Sequence, residues 1–308
     1  MMNYTDRHAC FFMRLISKDI LLYTEMITAA ALYYGRRNVL LDYDTSQAHL
    51  ALQVGGSEPT LLAQAAKMGE AAGFDEVNLN VGCPSPRVVS GRFGACLMLE
   101  PNLVADCVKA MQDGVTIPIT VKCRIGVDHY DSYSLLQRFI ETLVRAGCRT
   151  FIIHARKAWL SGLSPKENRE IPPLCYTTVR KIKQDFPSCT IILNGGLKSI
   201  TQIAAENHGI DGMMIGRAAF TNPYLLAEIQ SKYFGGMVHS RAEIVSQYIP
   251  YVRNQLAQGV NFSLLIRPLL GLFHEQKNGA NFRRYLSENV HRPCSNVELF
   301  EQALRLVS

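Results

Sequence analysis

From His49 onward the chain repeats one unit: a short apolar run, stopped by glycine, followed by a longer run with helical spacing. His49–Val54, Glu76–Val81, Ile119–Ile125, Thr150–Ala155, Thr190–Asn194 and Gly212–Ile215 read as strands. Thr60–Ala72, Pro101–Gln112, Ser132–Ala146, Tyr176–Phe186 and Thr201–Asn207 read as the helices between them, and Pro223–Tyr233 as one more. Strands and helices alternating in this way dictate a parallel sheet with right-handed crossovers. Upstream, a helix capped by Thr5 or Asp6 runs to Ser17, Ile20–Glu25 reads as a strand, and the stretch from Met26 to Tyr34 reads as a helix ended by Gly35. The expected fold is an α/β, (β/α)8 TIM-type barrel with seven strands legible and the first missing or truncated. A doubly wound sheet is the rival. Against it, no strand is followed by Gly-x-Gly-x-x-Gly, and there is no Gly-Lys-Ser/Thr phosphate loop.

After Gly235-Gly236 the alternation stops. Arg241–Gln258, Phe262–Phe273 and Val297–Val307 carry helical patterns, so residues 1–236 are expected to form the barrel and 237–308 a small all-helical domain. Within the latter, Asn281–Tyr285 sets two arginines between two aromatics. That pattern can track a nucleic-acid backbone and stack bases, or it is a solvated helix face with two core aromatics. The net charge of +6 allows a polyanionic partner without demanding one. Nine cysteines with no Cys-x-x-Cys pair suit reduced thiols, hence a cytoplasmic protein, and neither a disulfide framework nor a metal site. No apolar run reaches the ~20 residues of a membrane span.

Barrel enzymes carry their chemistry at the carboxyl ends of the strands. Gln53, Asn78, Asn80, Lys122 and His154 have the parity opposite to the apolar residues of their strands and are expected to point into the barrel mouth. Cys83 follows the strand that ends at Gly82. Pro84 and Pro86 stiffen the root of its loop, and Gly91 and Gly94 leave the tip free to move. The thiol is a candidate reactive group, or else a small buried hydrophobe. Cys96, in the same loop, is taken as structural. The last two strands end in Asn194-Gly195-Gly196 and Gly216-Arg217, each before a helix, which suits a phosphate; two ordinary left-handed turns are the alternative. A phosphate-bearing ligand, inward Lys, Gln, Asn and His, and a cysteine loop together point to a flavin mononucleotide barrel, with Lys122 near the pyrimidine end of the flavin.

Leu-Asn-Val-Gly-Cys-Pro-Ser (79–85), Gly-Arg-Phe-Gly-Ala-Cys-Leu-Met (91–98), Val-Lys-Cys-Arg-Ile-Gly (121–126), His-Ala-Arg-Lys-Ala (154–158), the 162–174 segment and Arg-Arg-Tyr-Leu-Ser-Glu-Asn (283–289) closely resemble the tRNA-dihydrouridine synthases, and the 162–174 segment resembles the A subfamily. The resemblance implies an FMN barrel with a helical domain that grips tRNA, NADPH as electron donor, and reduction of uridines 20 and 20a in the D-loop. It implies hydride from FMN N5 to uracil C6 and a proton from Cys83 to C5. An ordinary thiol, with a pKa of ~8.5, is protonated at neutral pH and can act as that acid. It further implies FMN contacts at Met1, Met2, Gln53, Lys122, His154, Asn194, Gly195, Gly196, Gly216 and Arg217. Asn80 falls beside the substrate base, Lys166 and Arg169 on tRNA in the long loop, and Arg283 and Arg284 on tRNA in the helical domain. No obligate protein partner is implied. The rivals are an FMN barrel acting on a free small molecule of dihydroorotate or enoate type, and a non-catalytic RNA-binding protein on a decayed barrel.

One departure stands out. Members of that family carry a first strand ending Ala-Pro-Met-Met before Thr-Asp-Arg-His, and here Met1-Met2 stand at the start. A barrel without that strand leaves unpaired edges and loses part of the wall beside the flavin. Extending the chain with such a strand is therefore expected to raise the flavin bound per polypeptide; no gain in 450 nm absorbance, roughly where flavins absorb, would refute it.

Overall fold

The computed structural model describes residues 2, 4–44, 49–290 and 297–307. Met1, an expected cofactor contact, lies outside the described residues. The chain divides into two compact units: Tyr23–Leu197 with Thr201–Ile215, and Met1–Leu22 with Lys198–Ile200 and Gly216–Ser308.

The first unit is built on an eight-stranded sheet, of which only Leu22 falls outside its bounds: β1 Leu22–Tyr23, β2 Ile27–Thr28, β3 Leu50–Gly55, β4 Glu76–Val81, β5 Ile119–Arg124, β6 Thr150–His154, β7 Thr190–Asn194 and β8 Gly212–Met214. Strands from β3 to β8 pair in chain order, all parallel, and β1 and β2 both lie against β3. Every residue of β3 and β4 is buried, as a parallel sheet covered on both faces requires. The crossover helices form because their apolar residues recur on one stripe. Tyr133–Arg145 buries Leu136, Phe139, Ile140 and Leu143 at helical spacing. Proline opens Pro59–Ala71 and Pro101–Gln112, where its missing N–H is no loss. Pro59–Ala71 lies flush on the sheet: a Cβ on Gly69 would stand 2.8 Å from Leu52 Cδ2 and 3.1 Å from Val77 Cγ2. Leu52 and Val77 thus face the helices, and the residues of opposite parity face away from them.

The segment after β1 differs from the sequence expectation. Ile27-Thr28 form a strand where a helix is expected from Met26, and the helix Ala29–Tyr34 begins only after Thr28, whose Oγ1 caps Ala31 N–H at 3.2 Å. Between β1 and β2 the Thr24 hydroxyl takes the Gln53 N–H at 3.0 Å while Thr24 N–H bonds Ala51 O at 3.0 Å. A side chain replaces one rung of the ladder there and breaks the strand in two.

The second unit is helical. It holds Arg7–Ile16, capped by Asp6 on Ala9 N–H, together with Leu225–Ile229, Arg241–Ala257, Phe262–Ile266, Gly279–Asn289 and Glu298–Leu304. Arg7–Ile16, counted with residues 1–236 in the sequence reading, belongs to this unit. Tyr248, Phe12, Phe282, Phe300 and Leu265 are fully buried, and Tyr248 donates to Leu265 O at 3.0 Å. The expected helix Phe262–Phe273 stops at Ile266 and passes into the 3-10 turn Arg267–Leu269, where Pro268 has no N–H to continue the helical ladder. No helix of the described residues is long and apolar enough to cross a membrane.

Leu79, fully buried on β4, tests the assigned core. Leu79→Ala is expected to lower the unfolding free energy by about 2–5 kcal/mol, and Leu135→Ala, on an exposed helix face, by no more than about 0.5 kcal/mol. Urea melts of both variants check this, and equal losses would place Leu79 outside the core.

Candidate active site

Strand register assembles the site. Gln53 pairs with Asn78, Asn80 with Lys122, Arg124 with His154, and His154 with Asn194. Registered partners in a parallel sheet project to the same face. With Leu52 and Val77 turned to the helices, these seven polar residues crowd the other face. Gln53, Asn78, Asn80, Arg124, His154 and Asn194 are buried, and Lys122 is half-buried.

Cys83 stands at the rim, half-buried. Asn80 Oδ1 accepts the N–H of Gly82 at 3.1 Å and of Cys83 at 3.0 Å, which turns the chain sharply as it leaves β4. The thiol donates to Ser85 Oγ at 3.5 Å. The loop is structured on both sides of the tip. A helix, Pro86–Ser90, and a 3-10 helix, Gly94–Leu99, flank it, and Ala95 N–H bonds Cys83 O at 2.9 Å. Gly94 has φ +73°, and a Cβ there would meet Cys83 O at 2.6 Å. It is glycine because the backbone passes so close, and it pins the loop. Cys96 donates to Phe93 O at 3.2 Å, and burial pushes its thiol pKa up.

Arg124, a polar strand-end residue beside Lys122 in the sequence, shares its parity and its face. Its guanidinium is buried and donates to Gly82 O at 3.1 Å, Lys157 O at 3.2 Å and Asn168 O at 2.8 Å. It thereby joins the root of the Cys83 loop to the long loop after β6. Asn168 is fully buried and clamps that loop, accepting Trp159 N–H at 2.7 Å and donating to Trp159 O at 2.9 Å. Beside it Lys166 is exposed and Arg169 half-buried.

The cations depress one another. Burial, with Arg124 beside it, brings the Lys122 ammonium down to about 8. Burial first, then the charges of Arg124, Lys122, Arg156 and Arg169, hold His154 well below its ordinary value, so its imidazole is neutral at pH 7. His154 Nδ1 is buried with no hydrogen-bond partner among the described residues. Gly195 and Gly196 have φ +114° and +72°. A Cβ on Gly195 would stand 3.2 Å from His154 Nε2, so the glycine leaves the imidazole edge clear. Asn194 itself donates to Met214 O at 2.8 Å. This donor set fits a flavin: amides, a cation and an unpartnered imidazole nitrogen suit a flat heteroaromatic ring.

The other expected positions lie in the helical unit. Gly216 has φ −103°, not a left-handed turn, and precedes the five-residue helix Arg217–Thr221, where Arg217 is half-buried. Met2 is exposed. Arg283 and Arg284 are exposed on Gly279–Asn289. Of the two flanking aromatics Phe282 is core, 4.6 Å from Phe273, and Tyr285 bonds Gln302, so Phe282 is not a stacking platform.

A parallel α/β sheet of barrel type, with a thiol at the rim of a cationic, amide-lined face, defines a barrel enzyme. A family model described as Dihydrouridine synthase (Dus) matches residues 1–307, and the chain belongs to that family. It is 51% identical over 307 residues to the tRNA-dihydrouridine(20/20a) synthase of Vibrio cholerae, covering 99% of this chain and 94% of that one. It is 50% identical over 311 residues to the tRNA-dihydrouridine(20/20a) synthase of Escherichia coli K12, covering all of this chain and 90% of the other. Among solved structures it resembles the old yellow enzyme homologue from Zymomonas mobilis, with TM-score 0.51 and 11% identity over 77% of this chain and 86% of that one, which places the fold among the TIM-type α/β barrels.

The depressed Lys122 has a consequence for stability. Its folded value, about 8, lies below its ordinary 10.5, so the penalty of burying the charge is fully present below pH 8 and fades as pH rises to 10.5. Flavin-free Lys122→Met is expected to be more stable than the parent at pH 7, by up to about 3 kcal/mol. The advantage should shrink between pH 8 and 10.5. Denaturant titrations of both proteins across that range check it, and an advantage independent of pH would refute it.

Proposed function

We propose that this chain reduces uridine to 5,6-dihydrouridine in tRNA, at D-loop positions 20 and 20a, with FMN as cofactor and NADPH as the donor that recharges it. The observation that carries the reading is the identity of about half the residues, over nearly the whole chain, to tRNA-dihydrouridine(20/20a) synthases. The site geometry supports it.

Bound reduced FMN supplies a hydride donor, which suits C6 of uracil because the resulting negative charge spreads onto the C4 carbonyl. The chain supplies the rest. Cys83 gives its thiol proton to C5. Asn80, whose oxygen holds the Cys83 N–H, keeps the thiol at a set height above β4 and lies beside the base. Lys122 places a positive charge toward the pyrimidine end of the flavin, and its pKa of about 8 leaves it mostly charged at pH 7. His154, neutral, can donate or accept at Nδ1 without adding charge. Gln53, Asn194, Gly195 and Gly196 complete the flavin contacts in the sheet unit. Met2, Gly216 and Arg217 are carried over from the resemblance alone.

The uridine must leave its stack to reach this face, so the tRNA has to be held by its backbone. Lys166 and Arg169 on the long loop, and Arg283 and Arg284 on the exposed helix face, supply cations for phosphates.

Incubation of unmodified tRNA with the protein, FMN and NADPH, followed by position-resolved dihydrouridine analysis, tests the proposal; no dihydrouridine at 20 or 20a would refute it. Cys83→Ala is expected to cut dihydrouridine formation by at least ~100-fold, the scale of a lost general acid, while NADPH oxidation by the flavin stays near the parent rate. Equal loss of both half-reactions would overturn the role given to Cys83.

A further inference from the structure

Beneath the active face a single line of side chains crosses the sheet. Asn80 Nδ2 donates to Gln53 Oε1 at 3.0 Å, Gln53 Nε2 to Asn78 Oδ1 at 2.9 Å, and Asn78 Nδ2 to Thr120 Oγ1 at 2.8 Å. Thr120 Oγ1 donates to Glu76 Oε1 at 2.6 Å, and Tyr23 OH donates to the same oxygen at 2.7 Å. Glu76, Asn78 and Asn80 alternate along β4, so one strand presents both ends of the line. All five members from Asn80 to Glu76 are buried.

The direction of this line is forced. Gly82 and Cys83 present backbone N–H groups, which can only donate, so Asn80 must turn its oxygen to them. Its amino group then faces Gln53, whose oxygen must answer it. The same logic passes through Asn78 to Thr120, which accepts from Asn78 and has one hydrogen left to give. Something at the far end must accept that hydrogen, and Glu76 is that acceptor. Burial raises the Glu76 pKa, with the hydroxyls of Thr120 and Tyr23 opposing it; the carboxyl oxygen they share accepts in either protonation state.

We propose that Glu76, at the opposite end of β4 from the reacting groups, is a positioning residue that, together with the Gly82 and Cys83 N–H groups at the near end, holds the Gln53 and Asn80 amides in one orientation. Neither Glu76 nor Thr120 is a contact of any ligand in the reading above. The proposal rests on that reading for its meaning: a flavin pyrimidine ring carries hydrogen-bond donors and acceptors in a set pattern, and a flipped Gln53 amide would oppose acceptor to acceptor. Removing the terminal acceptor strands the Thr120 hydroxyl, which could then be satisfied only by donating to a flipped Asn78; that flip, passed on through Gln53, would set the Asn80 amino group against the Gly82 and Cys83 N–H groups, so the line loses its one satisfied arrangement.

The test uses the full chain freed of flavin. FMN affinity is read by quenching of flavin fluorescence, with the melting temperature of each flavin-free sample measured beside it. Glu76→Gln keeps a carbonyl oxygen for Thr120 and Tyr23, and Thr120→Ser keeps the hydroxyl; both are expected to bind FMN within threefold of the parent. Glu76→Met and Thr120→Val break the line and are expected to weaken FMN binding at least tenfold at temperatures where each is folded. Thr120→Val, nearly isosteric, decides the matter should Glu76→Met fail to fold. Parent-like FMN affinity in Thr120→Val, or equal losses in the Gln and Met variants, would overturn the role and leave Glu76 as fold support. A parent chain that binds no FMN would refute the flavin reading and this proposal with it.

Discussion

The polar face of the sheet depends on one constraint: buried amides, hydroxyls and charges must satisfy one another. Each buried polar group left without a partner costs about 1–3 kcal/mol, and β3, β4, β5, β6 and β7 all contribute such groups to one face. In the half nearest Glu76 every amide from Asn80 to Asn78 both gives and receives a hydrogen bond. Toward the carboxyl ends the constraint is met less fully. Lys122 is pushed down by burial and by Arg124, and His154 Nδ1 has no partner among the described residues. Fold support and ligand chemistry are thus graded along the same strands: the satisfied end stabilises the sheet, and the strained end keeps groups available for a ligand.

The same gradient explains why much of the fold was legible. Each strand from β3 to β8 is a short apolar run closed by glycine or a polar turn, and parity alone turned Gln53, Asn78, Asn80, Lys122 and His154 onto one face. Parity also reached Glu76, Thr120 and Arg124, but nothing in their local sequence marks them. Glu76 stands at the start of β4, where a charged residue reads as solvated, and its burial comes from Tyr23 and Thr120, which lie far away in sequence. The break between β1 and β2 was hidden for a similar reason, because a threonine hydroxyl acts as a main-chain acceptor only once β3 lies beside it.

The loop of Cys83 shows what a glycine pattern leaves unsaid. Two glycines around Arg92-Phe93 read as hinges, yet Gly94 is required by the approach of its backbone to Cys83 O, and a Cβ would clash there at 2.6 Å. At Gly94 both reasons hold, a φ of +73° and no room for a Cβ, and only the second is invisible in a glycine pattern. In the helical unit the aromatic–basic alternation at 281–285 leaves as much unsaid. Periodicity sends Phe282 inward and Arg283 and Arg284 outward, so the segment offers charge to a partner but not Phe282 as a stacking ring.

Arg124 ties these levels together. A buried guanidinium needs acceptors for its fork of N–H groups, and here they are three main-chain carbonyls: Gly82 from the Cys83 loop, and Lys157 and Asn168 from the loop that carries Lys166 and Arg169. A lysine could not replace it, because three hydrogens on one nitrogen cannot reach carbonyls spread across two loops. Burial brings Arg124 down to about 10, still far above neutral pH, so its charge stays on and lowers both Lys122 and His154. One side chain at the end of β5 therefore joins the root of the thiol loop to the basic loop and adds to the burial that lowers Lys122 and His154. The carbonyl that precedes Cys83 and two carbonyls of the basic loop are thus held by a single guanidinium.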